Sequence, residues 1–378
     1  MDELGKARRI IDEIDGQLVP LFEKRMRAGE QVARAKQKSG DTSVFRPERE
    51  KQVLERAEAM LEDKRFSAEV RQFMGAVMDI NKDFQKRVLF SSEAVYPRGK
   101  MDGNAVVGFF GDNGSHSDLA CEKFFPDAGK RVSCPTFRDV FEKLKAGEIS
   151  FGVVPIENSS TGSISDVYDL LGEYDFFIAA ERWERIRQHL AGVRGTKESD
   201  IKEVYSHPQG ISQCTEYFSD RPDVTAIPFG NTAKAAAYVA GCGDKTKAAI
   251  CSESAAKLYG LDIIARDINS QNDNYTRFIV ISKFMNDCGG DKISVMFTLG
   301  NTPGALYGVL RHFAFNNINL TKMESRPQKN KPGEYIFYVD ISGNPEEAEK
   351  ALALVRLDCG YYKMLGEYVP DDNPGRTL

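Results

Sequence analysis

The chain has 378 residues, with 51 Lys and Arg against 56 Asp and Glu and a formal net charge of -5 at pH 7. No sustained basic block is present, which argues against nucleic acid or an acidic membrane surface as a partner and favours a small-molecule ligand. This length accommodates two or three separate hydrophobic cores.

Residues 1 to about 90 carry 3.6-type apolar spacing and abundant Lys, Arg and Glu, with no alternating strand pattern. The first helix is predicted from about Glu3 to Lys38, roughly 54 Å long at 1.5 Å per residue. A helix of that length calls for a partner chain. Its apolar seam places Leu4, Ile11, Leu18 and Val32 at heptad steps, with Arg25 on the same stripe. Lys36 lies about 20° round the helix from Arg25, whereas Arg8 lies about 100° aside and suits a neighbour's pocket. Gly16 and Pro20 interrupt the helix, and an interior proline costs about 3 kcal/mol or bends the chain, so a bend is expected there.

Any one of these cations taken singly is equally explained as a solvated side chain. Together with Ile14-Asp15, Ala35-Lys36, Arg46-Pro47-Glu48-Arg49-Glu50, and Asn81 and Gln85 near the end of a third helix, they make the segment resemble the helical chorismate mutase family over its whole length. The resemblance implies that Arg8, Arg25 and Arg49 bind the two carboxylates of chorismate, that Lys36 and Gln85 meet its ether oxygen, and that Glu50 meets its hydroxyl. Asn81 would also face substrate, and Arg8 would come from the other protomer of an intertwined dimer. The residue types suit the chemistry. A Claisen rearrangement needs no nucleophile and no proton transfer, only a clamp on the compact dicarboxylate and a donor where charge grows on the ether oxygen. Guanidinium forks clamp carboxylates, and an ammonium supplies the donor. Arg46 stands where an acid can stand in relatives, and Asn81 where serine is frequent.

From Ala105 to about Ile281, short β-rich runs such as Val106-Val107-Gly108-Phe109-Phe110 and Phe151-Gly152-Val153-Val154 alternate with helical stretches. This is the pattern of an α/β domain. Small polar residues recur after the strands: Gly111 to Ser117, Pro155 to Gly162, Ser206-His207-Pro208-Gln209, Asn231-Thr232, and Ser252-Glu253. Each alone is an ordinary N-cap. Five in one domain are expected to converge at the C-terminal edge of an open sheet, where free N–H groups favour an anionic ligand. Arg277 precedes an apolar strand as a fixed counter-charge for that ligand, with a structural salt bridge as the alternative.

Val154-Pro155-Ile156-Glu157-Asn158-Ser159, Ser206-His207-Pro208-Gln209, Ala249 to Gly260 and Thr276-Arg277-Phe278 together make this segment resemble prephenate dehydratases throughout. The resemblance implies a two-lobed fold like type 2 periplasmic-binding proteins, with the chain crossing between lobes near residues 180 and 270 and the site in the cleft. It implies Thr276 as the catalytic residue and Arg277 as a ligand of a substrate carboxylate. Ser115, Glu157, Asn158, Ser159, His207, Gln209, Asn231, Thr232 and Phe278 would complete the site. The reaction expels carbon dioxide and hydroxide together, so a donor is needed at the departing hydroxyl. A threonine hydroxyl is a poor acid, and a relay through water, Glu157 or His207 is open. The sequence departs from the family at Asp112-Asn113, His116 and Asn231.

After Asp287 and Gly289-Gly290, the predicted order is strand (Ile293 to Leu299), helix (Gly304 to Asn316), strands (Leu320 to Ser325, Tyr335 to Ile341), helix (Pro345 to Val355) and a last strand, a ferredoxin-like βαββαβ order. Asn301-Thr302-Pro303-Gly304-Ala305-Leu306, Asn317-Ile318-Asn319-Leu320-Thr321 and Glu324-Ser325-Arg326-Pro327 resemble the ACT domain of prephenate dehydratases. That resemblance implies that Gly304, Ala305, Leu306, Asn317, Leu320, Glu324, Ser325 and Arg326 bind L-phenylalanine and bring feedback inhibition. A merely dimerising ACT domain is the alternative.

The expected architecture is therefore multidomain: an all-α mutase over residues 1–92, an α/β dehydratase over 104–284 and an α+β ACT domain over 291–378. A homodimer or homotetramer acting on chorismate and prephenate is expected. Rival readings are a dehydratase whose degenerate mutase only dimerises, and a non-catalytic amino-acid sensor. A prephenate dehydrogenase is disfavoured because the first α/β loop lacks GxGxxG. The seven cysteines, Cys121 to Cys359, form no CxxC pair, and the four histidines are too dispersed for a local zinc motif. No metal or other cofactor is expected. No apolar run approaches the roughly 18 residues of a membrane span, and the opening Asp2-Glu3 is unlike a leader, so a cytoplasmic location is expected.

Overall fold

The computed structural model describes residues 2–40, 43–44, 46–90, 94–271, 273–328, 331 and 333–371; the expected domain ends at residues 92 and 378 lie outside these. The chain forms two compact units. One comprises Met1–Val95 with Leu306–His312 and Glu349–Cys359, and the other comprises the remainder. No helix among the described residues is long and apolar enough to cross a membrane.

In the first unit, α1 (Glu3–Ser39) starts where the Asp2 carboxylate accepts from the Gly5 amide and stops at Gly40, whose φ of 73° turns the chain left-handed. It runs unbroken through Gly16 and Pro20. Pro20 deprives only the Gly16 carbonyl of its partner, and both residues are exposed, so solvent can satisfy it. A proline at its first turn opens α2 (Pro47–Ala59), and α3 (Ser67–Leu89) follows a short 3-10 turn. Both α1 and α2 pack on α3. Gly29 and Ala33 are the buried residues of α1, and every residue from 6 to 24 is exposed. The same unit holds a buried ion-pair group in which Arg311 binds both oxygens of Asp83, at 2.5 and 2.8 Å, and Asp358 takes His312 and Lys86.

The second unit opens with β1 (Arg98–Gly99), β2 (Val106–Phe110), α4 (His116–Phe124), β3 (Lys130–Cys134), α5 (Phe137–Ala146), β4 (Phe151–Asn158), β5 (Gly162–Ser163), α6 (Ser165–Glu173) and β6 (Phe177–Arg185). Next come β7 (His189–Gly192), β8 (Glu203–Ser206), α7 (Pro208–Ser212), α8 (Thr215–Phe218), β9 (Thr225–Pro228), α9 (Thr232–Cys242), β10 (Lys247–Cys251), α10 (Glu253–Leu258) and β11 (Asp262–Ala265). The chain then returns through β12 (Tyr275–Ser282) and β13 (Met285–Asn286). The chain ends with β14 (Lys292–Gly300), α11 (Ala305–Phe315), β15 (Asn319–Pro327), β16 (Glu334–Ser342), α12 (Pro345–Asp358) and β17 (Tyr361–Tyr368), the stretches Leu306–His312 of α11 and Glu349–Asp358 of α12 belonging to the first unit.

These strands make one sheet of order β3-β2-β4-β12-β6, with β5 on the end of β4, and a second of order β11-β7-β10-β8-β9. The crossings between them fall between Arg185 and His189 and between Ala265 and Tyr275. A third, antiparallel sheet has order β15-β16-β14-β17. The apolar runs of β4 and β12 are buried on both faces, as expected of central strands. On one face Ile279 and Ile281 pack with Val140, Leu171 and Ile178, and with Met296, Tyr338 and Leu365 of the third sheet. On the other, Phe278 and Val280 pack with Val107, Phe109, Phe125 and Val153.

Candidate functional site

A cleft of about 530 Å³ lies between the first two sheets, within the roughly 300–1,000 Å³ usual for small ligands. The first sheet contributes Asp112, Ser115, His116, Asn158, Thr161, Thr276 and Phe278, and the second contributes His207, Gln209, Gln213, Asn231, Thr232 and Lys234, with Gln188 at the crossing. Four of the five expected loops thus meet here. The Ser252-Glu253 loop instead lines a separate depression, and Ser252 Oγ supports the first loop by donating to the Gly114 carbonyl at 2.7 Å.

Thr276 is 7% exposed and sits opposite Asn158 in the β4–β12 ladder. The Asn158 side chain is fixed at both ends. Its Oδ1 accepts from the amides of Ser160 and Thr161 at 3.1 Å each, so its Nδ2 must donate, to Asn274 Oδ1 at 2.7 Å and to Thr276 Oγ1 at 2.9 Å. With its oxygen already accepting, Thr276 is left to aim its hydroxyl proton into the cleft. Two histidines line the same cleft. His207 Nδ1 accepts from the Gln209 amide at 3.2 Å, which puts the proton of the neutral ring on Nε2. His116 is pushed down to about 4 by burial, with His189 and Lys123 adding to the effect, and its Nε2 is buried without a protein partner. Such a buried nitrogen calls for a hydrogen-bond partner, which a water or a ligand in the cleft can supply.

Helices α4 and α9 begin at the cleft, capped by Ser115 and Asn231, whose side chains accept from the third amide on. Their N-termini favour an anion there. Lys234 is the one full cation among the described cleft-lining residues, and its ammonium lies 3.6 Å from the Asp112 carboxylate.

Three expected ligands are placed elsewhere. Arg277 follows Thr276 on a strand, so its side chain leaves by the opposite face. There it is 1% exposed, with Nε on Glu181 at 2.7 Å and Nη1 on Asp340 at 2.6 Å. The salt-bridge alternative therefore holds, and the substrate-ligand assignment is corrected. Glu157 is turned from the cleft by the same alternation and pairs with Lys322 at 2.9 Å, which removes it from the proton relay. Ser159 spends its hydroxyl on the Asp273 carbonyl and the Tyr275 amide, at 3.0 and 2.9 Å, and so fastens β4 to β12. Sequence reasoning missed Gln188, Gln213, Lys234 and Thr161. Gln213 lies one turn beyond Gln209 and Lys234 one turn into a helix capped by Asn231, a signal that could have found both.

In the first unit, Arg25 donates to the Val77 carbonyl at 3.3 Å and is half-buried. Gly29 lets α1 press on α3, since a Cβ there would stand 1.9 Å from the Asn81 amide nitrogen. Gln85 donates to Asn81 Oδ1 at 2.5 Å while its own Oε1 is buried and unpaired, and Glu50 pairs with Lys82 at 3.0 Å. Arg25, Asn81, Gln85 and Glu50 thus share the α1–α2–α3 junction. Lys36 donates to the Ser43 carbonyl, and Arg8 and Arg49 are exposed. If this junction acts as the resemblance implies, replacing Gly29 by Ala should displace Asn81 and lower the rate of chorismate loss about tenfold. Asp83, His312 and Asp358 also converge, but Arg311 and Lys86 occupy their carboxylates, which fits an ion-pair cluster and not a metal centre.

Of the residues assigned to phenylalanine, Gly304 and Asn317 have left-handed φ of 81° and 53°. Ala305 and Leu306 open α11, while Leu320, Glu324, Ser325 and Arg326 lie on β15. Glu324 accepts from Ser163 Oγ at 2.8 Å, and Arg326 pairs with Asp169 at 3.0 Å.

The family model for prephenate dehydratase matches residues 107–286, and that for type II chorismate mutase matches residues 7–86. The bifunctional chorismate mutase/prephenate dehydratase of Aquifex aeolicus is 33% identical over 380 residues, covering 97% of this chain and 98% of that protein. The prephenate dehydratase of Methanocaldococcus jannaschii is 39% identical over 274 residues, 70% of this chain and 98% of its own length. The crystal structure of the Arthrobacter aurescens prephenate dehydratase in complex with L-Phe superposes with a TM-score of 0.64 at 30% identity, covering 70% of this chain and 90% of that one. With the two family models in tandem and a relative of the same make-up matched nearly end to end, the chain belongs to the bifunctional chorismate mutase/prephenate dehydratase family.

Proposed function

We infer that the helical segment rearranges chorismate to prephenate and that the cleft converts prephenate to phenylpyruvate, with L-phenylalanine as a feedback inhibitor. The observation that carries the second step is the Asn158–Thr276 pair, which leaves a hydroxyl proton free to donate inside an anion-favouring cleft. The bond from the ring to the carboxylate breaks and releases carbon dioxide, its electron pair aromatises the ring, and the hydroxyl leaves as water, held by a hydrogen bond from Thr276 and taking up one proton from solvent. Neutral amides and hydroxyls predominate around the cleft, and the single lysine is shared with Asp112. Such donors hold a carboxylate loosely, which suits a group about to depart as carbon dioxide.

The mutase reading requires a second copy. Arg8 and Arg25 are 17 residues apart on α1, about 26 Å along the axis, too far to clamp one small dicarboxylate. Meanwhile Ile10, Ile11, Ile14, Leu18 and Leu21 are each at least 43% exposed and fall within about 100° round the same helix. A partner's α1 would cover that apolar face and deliver its Arg8 to the Arg25 junction. Ile14→Asp with Leu18→Asp is expected to give a monomer in sedimentation and to abolish mutase turnover, while dehydratase turnover persists. Mutase turnover by a monomer would reject the shared site.

Gly304, Ala305, Leu306, Asn317, Leu320, Glu324, Ser325 and Arg326 are the residues proposed to hold L-phenylalanine in an ACT-type domain. Inhibition follows if the ligand prefers a state with a poorer cleft. The deciding experiment is a time course on chorismate alone that quantifies chorismate, prephenate and phenylpyruvate together. Phenylpyruvate above the spontaneous control supports both activities. Persisting prephenate rejects the dehydratase, persisting chorismate leaves the helices a dimerising arm, and ligand binding without either product marks a sensor.

A further inference from the structure

The central strands of the first sheet carry chemistry on both faces. On the cleft face stand Asn158 of β4 and Thr276 of β12. On the opposite face, one residue away on the same strands, stand Glu157 and Arg277, themselves cross-strand partners. Glu181 of β6 completes a row across three adjacent strands.

Every strand of the third sheet answers this row. Lys322 of β15 pairs with Glu157 at 2.9 Å, and Asp340 of β16 pairs with Arg277 at 2.6 Å. Lys292 of β14 pairs with Glu181 at 2.7 Å, and Tyr368 of β17 accepts from Arg277 Nη2 at 2.9 Å. Ser294 Oγ, 2.6 Å from both Asp340 Oδ1 and the Tyr368 hydroxyl, closes the network. Three cations (Arg277, Lys292, Lys322) face three carboxylates (Glu157, Glu181, Asp340), so the group is neutral as a whole. All three donor nitrogens of the Arg277 fork are engaged, and none of the guanidinium lines the cleft.

We propose that Arg277 is a positioning residue for the dehydratase reaction, which fixes Thr276 and Asn158 from behind and makes their placement depend on the third sheet. The proposal rests on the dehydratase reading above. The geometry is short-linked, because one residue of backbone separates Arg277 from Thr276 and Glu157 from Asn158. The β4–β12 register also shifts just after Arg277, between it and Phe278. A bulge at that point re-aims side chains and makes their direction depend on local tethering. In a buried network of this kind a displaced partner leaves a charge unpaired, which penalises any other arrangement of these strands. A shift of β15 or β16, the strands that carry Lys322 and Asp340, would therefore be felt at the hydroxyl of Thr276. Glu324 and Arg326 lie on β15 two and four residues beyond Lys322, so a ligand held by them acts on the same strand.

The test is Asp340→Asn in the full-length protein, assayed with prephenate and, separately, with chorismate. A positioning role predicts a fall in dehydratase kcat of about tenfold or more, with KM for prephenate within about threefold. Mutase turnover should stay within about twofold and serves as the control for folding. A ligand role for Arg277 predicts instead a raised KM with kcat kept, and a merely structural role predicts a lowered melting temperature with unchanged kcat; either result overturns the proposal. If Asp340→Asn does not fold, Lys322→Met at the better-hydrated end of the network decides. It should lower kcat about threefold and move the L-phenylalanine concentration for half-inhibition by about threefold or more. No change in either quantity overturns the proposal. Wild-type protein that makes prephenate but no phenylpyruvate would instead refute the dehydratase reading, a separately recognisable outcome.

Discussion

Thr276→Ala should lower dehydratase kcat by about 10²- to 10³-fold, the range usual for removing one preorganised hydrogen-bond donor. The size of the effect follows from what Asn158 does. Its amide already satisfies the oxygen of Thr276, and its own oxygen is tied to two backbone amides, so the threonine proton has one useful direction. Alanine removes that donor and leaves the Asn158 amide with its remaining acceptors, Asn274 Oδ1 at 2.7 Å and the Tyr275 carbonyl at 3.2 Å, so the fold should tolerate the change. KM should move little, because the interaction strengthens only as the hydroxyl leaves. Single-turnover measurement of phenylpyruvate from prephenate is the direct assay, with mutase turnover as the internal control. Unchanged dehydratase kcat would move the role of donor to His207 or to His116, the other cleft-lining side chains with a ring nitrogen to offer.

Arg25→Ala is expected to reduce mutase kcat/KM by about 10²- to 10³-fold, in line with the loss of a preorganised electrostatic contact worth ~2.7–4 kcal/mol. Arg25 is half-buried on α1, its guanidinium is anchored on the Val77 carbonyl, and burial lowers its pKa without discharging it. A fixed, partly desolvated cation acts on a dicarboxylate more strongly than a solvated one. Arg25→Lys should recover only part of the loss, since an ammonium lacks the planar fork. Chorismate consumption measures the effect, and dehydratase turnover on added prephenate should be untouched. A mutase rate close to wild type in Arg25→Ala would remove Arg25 from the carboxylate clamp.

Local signals in the sequence determined the elements. The Asp2 cap and Gly40 bracket α1 within one residue of its expected end, because capping is a contact between near neighbours. The small polar residues after the strands lie at helix starts for the same reason: Ser115, Asn231 and Ser252 each cap a helix. The β-α-β-β-α-β order of the C-terminal segment was legible from alternating periodicities. Strand periodicity also says that Thr276 and Arg277 look in opposite directions. What it cannot say is which direction holds the ligand.

Only the tertiary structure decided that. Pairing of β12 between β4 and β6, and coverage of their far face by the third sheet, made Thr276 the cleft residue and Arg277 the buried one. Asp340 lies 63 residues from Arg277 in the chain and Glu181 lies 96 away. No local pattern encodes partners at such separations. Gln213 and Lys234 enter the cleft for the same reason, brought there by the second sheet, and Gln188 by the crossing that leads into it. The sequence by itself determined which residues start helices, alternate along strands and carry charge. Which face of each strand meets ligand and which meets another sheet was decided by long-range strand pairing, because burial of a charged or catalytic group depends on what packs over it.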